Sequence, residues 1–174
     1  AILTSRVIDR PMRPLFPKDY RNDVTLNNLV LSVDPDCSPE LTAMLGSAIA
    51  TAISDIPFDG PCATTQIGMV GGFFVVNPNE EQMAVSDLKL TVASTRDKVI
   101  MIEAGANEIP DEKMVEAIYK ADSVNKEIIA FIDKIVAEMG KEKHSYTAFT
   151  IPEELTLAIK EIVPQEEMEK AVFT

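Results

Sequence analysis

The sequence predicts an α+β protein in which pairs of β-strands pack against helices, followed by the start of an all-helical region. Three observations carry that expectation. Short β-branched and aliphatic runs at Val24–Val33, Ala63–Val76 and Leu88–Ala104 are separated by turn residues, as strands require. Stretches at 39–54 and 110–140 place apolar residues at three- and four-residue intervals and carry helix start signals. From Lys141 onward the chain holds a polar connection and two amphipathic pieces with no strand pattern.

Ile2–Arg10 reads as a short helix with Leu3 and Val7 one turn apart and Thr4 or Ser5 near its start. Pro11 disfavours helical geometry at Arg10, so the helix is expected to stop there. Arg6 and Arg10, at i and i+4, then share one face, and Arg13 continues the line on an extended, proline-rich segment anchored by Leu15 and Phe16. Val24–Val33 is expected to be a strand ending in the turn Asp34-Pro35-Asp36. Ser38-Pro39-Glu40 then supplies an N-cap, a proline at the first helical position and an acid in the first turn of a helix running to about Ser54.

Ile56-Pro57-Phe58-Asp59-Gly60-Pro61 marks a boundary. Beyond it, strands are expected at Ala63–Val70 and Phe73–Val76 around a Gly71-Gly72 hairpin turn, and at Leu88–Ala93 and Val99–Ala104 across Ser94–Asp97; Asn77–Ser86 connects the two pairs as a loop or helical turn. Pro110-Asp111-Glu112 opens a helix that Gly140 ends; at about thirty residues it either breaks near Asp122-Ser123 or lies across a sheet. Lys141–Thr150 reads as a linker, and Pro152–Val163 and Gln165–Phe173 as helices. The expected division is 1–58, 59–140 and 141–174.

The net charge is −12, unevenly spread. Residues 1–21 hold five basic groups (Arg6, Arg10, Arg13, Lys18, Arg21) against two acids, whereas residues 102–174 hold eight lysines against sixteen carboxylates. Such a chain does not bind nucleic acid with its whole surface, but a local basic patch can. The acids on the helices fit a solvated face, and nothing in their spacing makes a metal cage. No apolar run is long enough to span a membrane and no secretory signal opens the sequence, so a cytoplasmic protein without membrane contact is expected. Cys37 and Cys62, with His144 the one histidine, form no zinc set and are expected to be reduced, packed thiols. His144 is expected at the surface. No glycine-rich phosphate loop is present, which argues against an independent enzyme for a small phosphorylated ligand.

Arg6-Val-Ile-Asp-Arg10-Pro-Met-Arg13-Pro-Leu-Phe-Pro17, Leu31-Ser-Val-Asp-Pro35, Ile56-Pro-Phe-Asp-Gly-Pro61, Val76-Asn-Pro78, Ser86-Asp-Leu88 and Val92-Ala93 follow one another in an order and spacing that resembles the bacterial polynucleotide phosphorylase family. The resemblance covers essentially the whole chain. It implies an internal piece, the later half of the first RNase PH-like core plus the start of the all-helical domain: 1–58 the later half of the first RNase PH-like subdomain, 59–140 the second RNase PH-like α/β subdomain, and 141–174 a linker and the start of the all-helical domain. It also implies a reversible, phosphorolytic 3′ to 5′ exoribonuclease with nucleotidyltransferase activity, inorganic phosphate as co-substrate and magnesium as cofactor. The full-length protein is expected to be a homotrimer acting on single-stranded RNA in messenger RNA degradation, with an RNA-degradation complex as a further partner.

Where the family's catalytic core carries a serine-rich phosphate segment and an Asp-x-Asp-Phe-Lys stretch, this sequence reads Cys37-Ser38-Pro39-Glu40 and Asp87-Leu88-Lys89-Leu90-Thr91. Glu40 repels phosphate and Lys89 stands where a carboxylate is needed, so this portion is expected to hold no catalytic residue and no metal, the magnesium lying outside it, and to be inactive alone. Ser38 and Asp87 have structural explanations, a helix cap and a strand-start turn. The family's pattern places Arg6, Arg10 and Arg13 near RNA, Arg10 and Arg13 more strongly than Arg6. The competing expectation is structural: Arg6 paired with Asp9 or Asp23, Arg10 capping a carbonyl, and the portion serving only trimer formation.

Overall fold

A computed structural model describes residues 2–173. Its elements are α1 (Ile2–Met12), a 3₁₀ turn (Arg13–Leu15), α2 (Pro39–Ile53), β1 (Ala63–Val70), β2 (Phe73–Val76), α3 (Glu80–Ala84), β3 (Leu88–Ser94), β4 (Val99–Ala106), α4 (Asp111–Met139), α5 (Glu153–Ile162) and α6 (Gln165–Phe173). This is the α+β arrangement expected.

The four strands form one antiparallel sheet in the order β2-β1-β3-β4. Gly71 and Gly72 close the first hairpin with φ of +57° and +83°, values glycine adopts without a Cβ clash. Because side chains alternate across a strand, Thr65 and Ile67 with Leu90 and Val92 share the face that α4 covers. Thr64, Gln66, Thr91 and Ala93 share the opposite face, and Ala93 joins the core under α1 and α2.

α4 runs unbroken for 29 residues, so the second of its two expected forms is the one observed. Its first half seats Ala117 and Ala121 on Ile67, Leu88, Leu90 and Val92. Its second half carries Ile132 into the other core, with Met44, Ala48 and Ala52 of α2 and Ile8 and Met12 of α1. Between the two lies Asn125, wholly buried. Asn125 Nδ2 donates to the Val92 carbonyl (3.0 Å) and to Ser94 Oγ (3.1 Å), while its Oδ1 accepts from Thr65 Oγ1 (2.7 Å). One amide thereby ties α4 to β1 and β3 at a fixed register.

α2 begins as its sequence demands: Ser38 caps it through Oγ, accepting from the Leu41 amide, and Pro39 takes the first helical position. α3 is closed by a capping box between Asn79 and Gln82.

Three expectations are corrected. Val24–Val33 is not a strand. The sheet is built from residues 63–106, the segment has no ladder partner among the described residues, and Leu29, Leu31 and Val33 stand in solvent. β propensity needs a neighbour before it becomes a strand. The first helix does not stop at Arg10. It continues through Pro11 to Met12 because both are buried against the body, and so late in the helix a proline removes a single hydrogen bond. Arg13 therefore sits on a 3₁₀ turn, not on an extended segment. Finally, Cys37 is exposed on the turn after Asp34, and only Cys62 is packed; both thiols are free.

Asn125→Ala removes three buried hydrogen bonds, to Thr65, Val92 and Ser94, and leaves a cavity, and should lower the unfolding free energy by about 3 kcal/mol. Urea denaturation checks this against the exposed neighbour Ser123→Ala, expected to change stability by no more than about 0.5 kcal/mol.

Candidate nucleic-acid interface

α1 presents two faces. Ile8, Pro11 and Met12 are buried, and Arg6 and Arg10 lie on the outer side, exposed. Four residues separate them, so their side chains stack one turn apart along a single row. Neither has a hydrogen-bond or ion-pair partner among the described residues. Two guanidiniums held side by side on a helix anchored by its inner face, with their donors unspent, form a ridge suited to consecutive anionic groups.

Arg13 is engaged differently. Its Nε and Nη2 donate to the two carboxylate oxygens of Asp9 at 3.0 and 2.6 Å, a bidentate pair on the protein surface. Asp9 thus belongs to Arg13 and not to Arg6. The pair borders a hollow lined also by Phe16, Tyr20 and Asn22. The structure gathers Arg6 and Arg10 into one free ridge and sets Arg13 beside it with its charge already matched.

Glu40 and Lys89, far apart in sequence, meet in one cleft of about 330 Å³ between α1, α2 and the sheet. Glu103 and the apolar side chains of Leu3 and Val7 line it too, and Gln66 Nε2 donates to Thr91 Oγ1 in it at 3.4 Å. The Thr4 hydroxyl donates to Glu40 at 3.0 Å, which spends that carboxylate on holding α1 to α2. Two carboxylates against one ammonium make a poor phosphate cradle. Ser38 acts as the α2 cap, and the backbone of Asp87 bonds to Met69 and Asn107 at the start of β3, the structural roles foreseen for them. Among the described residues, no group of three or more His, Cys, Asp or Glu side chains is placed to hold a metal ion.

His144 is more than the surface residue expected. Its ring is half-buried, with Nε2 3.0 Å from the Tyr20 hydroxyl and Nδ1 3.9 Å from Asp55. Sequence reasoning also missed Asn125, although a signal was there: it falls in the α4 stripe at four-residue steps from Ala117 and Ala121 to Ile129, a polar residue where an apolar one is due.

Residues 60–123 match the model of the 3′ exoribonuclease family, domain 2. The fold is thus α+β, with an RNase PH-like domain as its class. The particular relatives are polyribonucleotide nucleotidyltransferases. That of Lachnoclostridium phytofermentans is 78% identical over all 174 residues, that of Clostridioides difficile 52% over the same span, and that of Bacillus anthracis 47% over 172 residues. The chain spans about a quarter of the length of these relatives, 25%, 25% and 24% respectively.

The two thiols should separate cleanly in a chemical titration. Burial pushes the Cys62 thiol up to about 11, so at neutral pH it is protonated as well as inaccessible. A disulfide reagent should modify one thiol of the native chain rapidly, Cys37→Ser should abolish that phase, and Cys62 should react only after denaturation.

Proposed function

We propose that this chain is part of a phosphorolytic 3′ to 5′ exoribonuclease, and that within it the chain guides RNA and does not cut it. The observation that carries the reading is the free ridge of Arg6 and Arg10 on the outer face of α1. Guanidiniums at that spacing hold the phosphates of a single strand and can stack on its bases, a mode of binding blind to sequence. Arg13, paired with Asp9, positions the turn at the end of α1 and joins in binding only by exchanging one anion for another.

The reaction of the full-length protein is RNA plus inorganic phosphate to nucleoside diphosphates. The cleft holding Glu40, Glu103 and Lys89 sets two carboxylates against one ammonium, which supports the reading that attack on the phosphodiester belongs to other parts of the full-length protein. We read 1–58 and 59–140 as parts of an RNase PH-like core and 141–174 as the opening of a helical domain. The exposed apolar segment around Leu29 and Leu31 supports the further reading that the full-length protein covers it and assembles as a homotrimer. No helix among the described residues is long and apolar enough to cross a membrane. Action in the cytoplasm within an RNA-degradation complex accords with the proposed chemistry.

The test is single-stranded RNA binding by the full-length protein over a salt series. Arg6→Ala with Arg10→Ala should weaken binding and reduce the salt slope by about 1.4, roughly 0.7 for each phosphate that is no longer neutralised, while Arg13→Ala should change the slope less. An unchanged slope together with a weakened trimer would favour the purely structural reading. Nucleoside diphosphate release by the 174-residue chain alone would overturn the non-catalytic assignment.

A further inference from the structure

Residues 141–149 contain no helix or strand, yet they are fastened to the body at two separate places. The first is the C-terminal end of α2. The Lys141 amide donates to the Ile53 carbonyl (2.9 Å) and the His144 amide to that of Asp55 (2.8 Å). Between them Lys143 Nζ donates to the carbonyls of Thr51 (3.1 Å), Ala52 (2.9 Å) and Ser54 (2.6 Å). These carbonyls lie at and just beyond the helix end, where a cation is favoured by both unpaired acceptors and the helix dipole.

The second is Asp19, on the loop that leaves the 3₁₀ turn of Arg13. Its Oδ1 accepts from the Tyr146 hydroxyl (3.0 Å) and its Oδ2 from the Phe149 amide (2.7 Å). The Tyr20 ring meets Tyr146 edge-on with centroids 5.4 Å apart. Beyond this point, every described residue from 147 to 173 is exposed, and neither α5 nor α6 has a buried residue. Among the described residues, α5 and α6 are tied to the body through these two fastenings.

We propose that residues 141–149 are a releasable strap that sets the position of α5 and α6, with the α2 end as its fixed anchor and Asp19 as its latch. The anchor has five hydrogen bonds to backbone carbonyls. The latch is a single carboxylate, and one proton weakens it. Asp19 faces the Tyr146 hydroxyl from the strap and Arg21 from its own loop. Nearby, the strap's His144 faces Tyr20 and Asp55, and Lys143 faces Asp55. Burial would raise the Asp19 carboxyl, but the hydrogen bonds from Phe149 and Tyr146 and the charge of Arg21 outweigh it and hold it below its ordinary value. A depressed carboxyl contributes its full hold above the unfolded value and loses it as pH falls through the folded one. The latch therefore opens on the acid side, and α5 and α6 then pivot about Lys143.

Hydrogen exchange of the full-length protein tests this, with Asp19→Asn as the variant: the amide keeps the shape but presents one acceptor oxygen in place of two. At neutral pH the variant should exchange about tenfold faster in peptides covering 144–152, with β1, β3 and α4 unchanged. In the wild type, protection of the Phe149 amide, corrected for intrinsic exchange, should be full above the ordinary carboxylate range and fall as pH drops below it, and the variant should lack that fall. Unchanged exchange at 144–152 would overturn the proposal, as would faster exchange spread through the sheet and α4, or an equal acid response in both proteins.

Discussion

The buried amide of Asn125 is the constraint on which the rest of this architecture depends. A helix of 29 residues extends ~44 Å and could slide along a sheet if only apolar contacts held it, because such contacts are not directional. Three hydrogen bonds, from Thr65 and to Val92 and Ser94, permit one axial position. Asp122, one turn before it, pairs with Lys126 at 2.7 Å; burial would raise its carboxyl, but bonds from Lys126 and Ser94 keep it below the ordinary range. With its first half placed on the sheet, the second half of α4 reaches the α2 core, and α2 in turn seats Ile8 and Met12 of α1. The outward direction of Arg6 and Arg10 follows from that chain of contacts.

Charge gives the ridge its selectivity. The chain as a whole repels polyanions, its net charge being −12, and the repulsion is screened over about 8 Å at physiological salt. Within that distance a pair of unpaired guanidiniums dominates. Asp9 tempers the arrangement by absorbing Arg13, and Glu40, tied to Thr4, keeps the neighbouring cleft unattractive to phosphate. In the proposed reading, an RNA strand is drawn to the outside of α1 rather than into that cleft.

Most of the regular structure was legible because its signals are local. Ser38-Pro39-Glu40 marks α2, Gly71-Gly72 marks the hairpin, and the run Ala63–Val70 before that turn gives β1 at the bounds expected. What failed was decided by neighbours. Val24–Val33 has strand composition without a partner, and Pro11 reads as a stop until its burial beside Met12 is known. The free state of Arg6 and the pairing of Arg13 turned on which basic residue Asp9 chose, a choice the 3₁₀ turn made. The strap was least legible: Asp19 and Phe149 lie 130 residues apart, and a polar stretch looks alike whether it is tethered or loose.

The central claim is that RNA lies along the outer face of α1. Photocrosslinking of a 4-thiouridine-substituted single strand to the full-length protein, with the modified peptides mapped by mass spectrometry, tests it most directly. Crosslinks to the segment spanning Ile2–Arg13, abolished in the Arg6→Ala, Arg10→Ala double variant, are the predicted result. Crosslinks that spare α1, or that persist unchanged in the double variant, would contradict it.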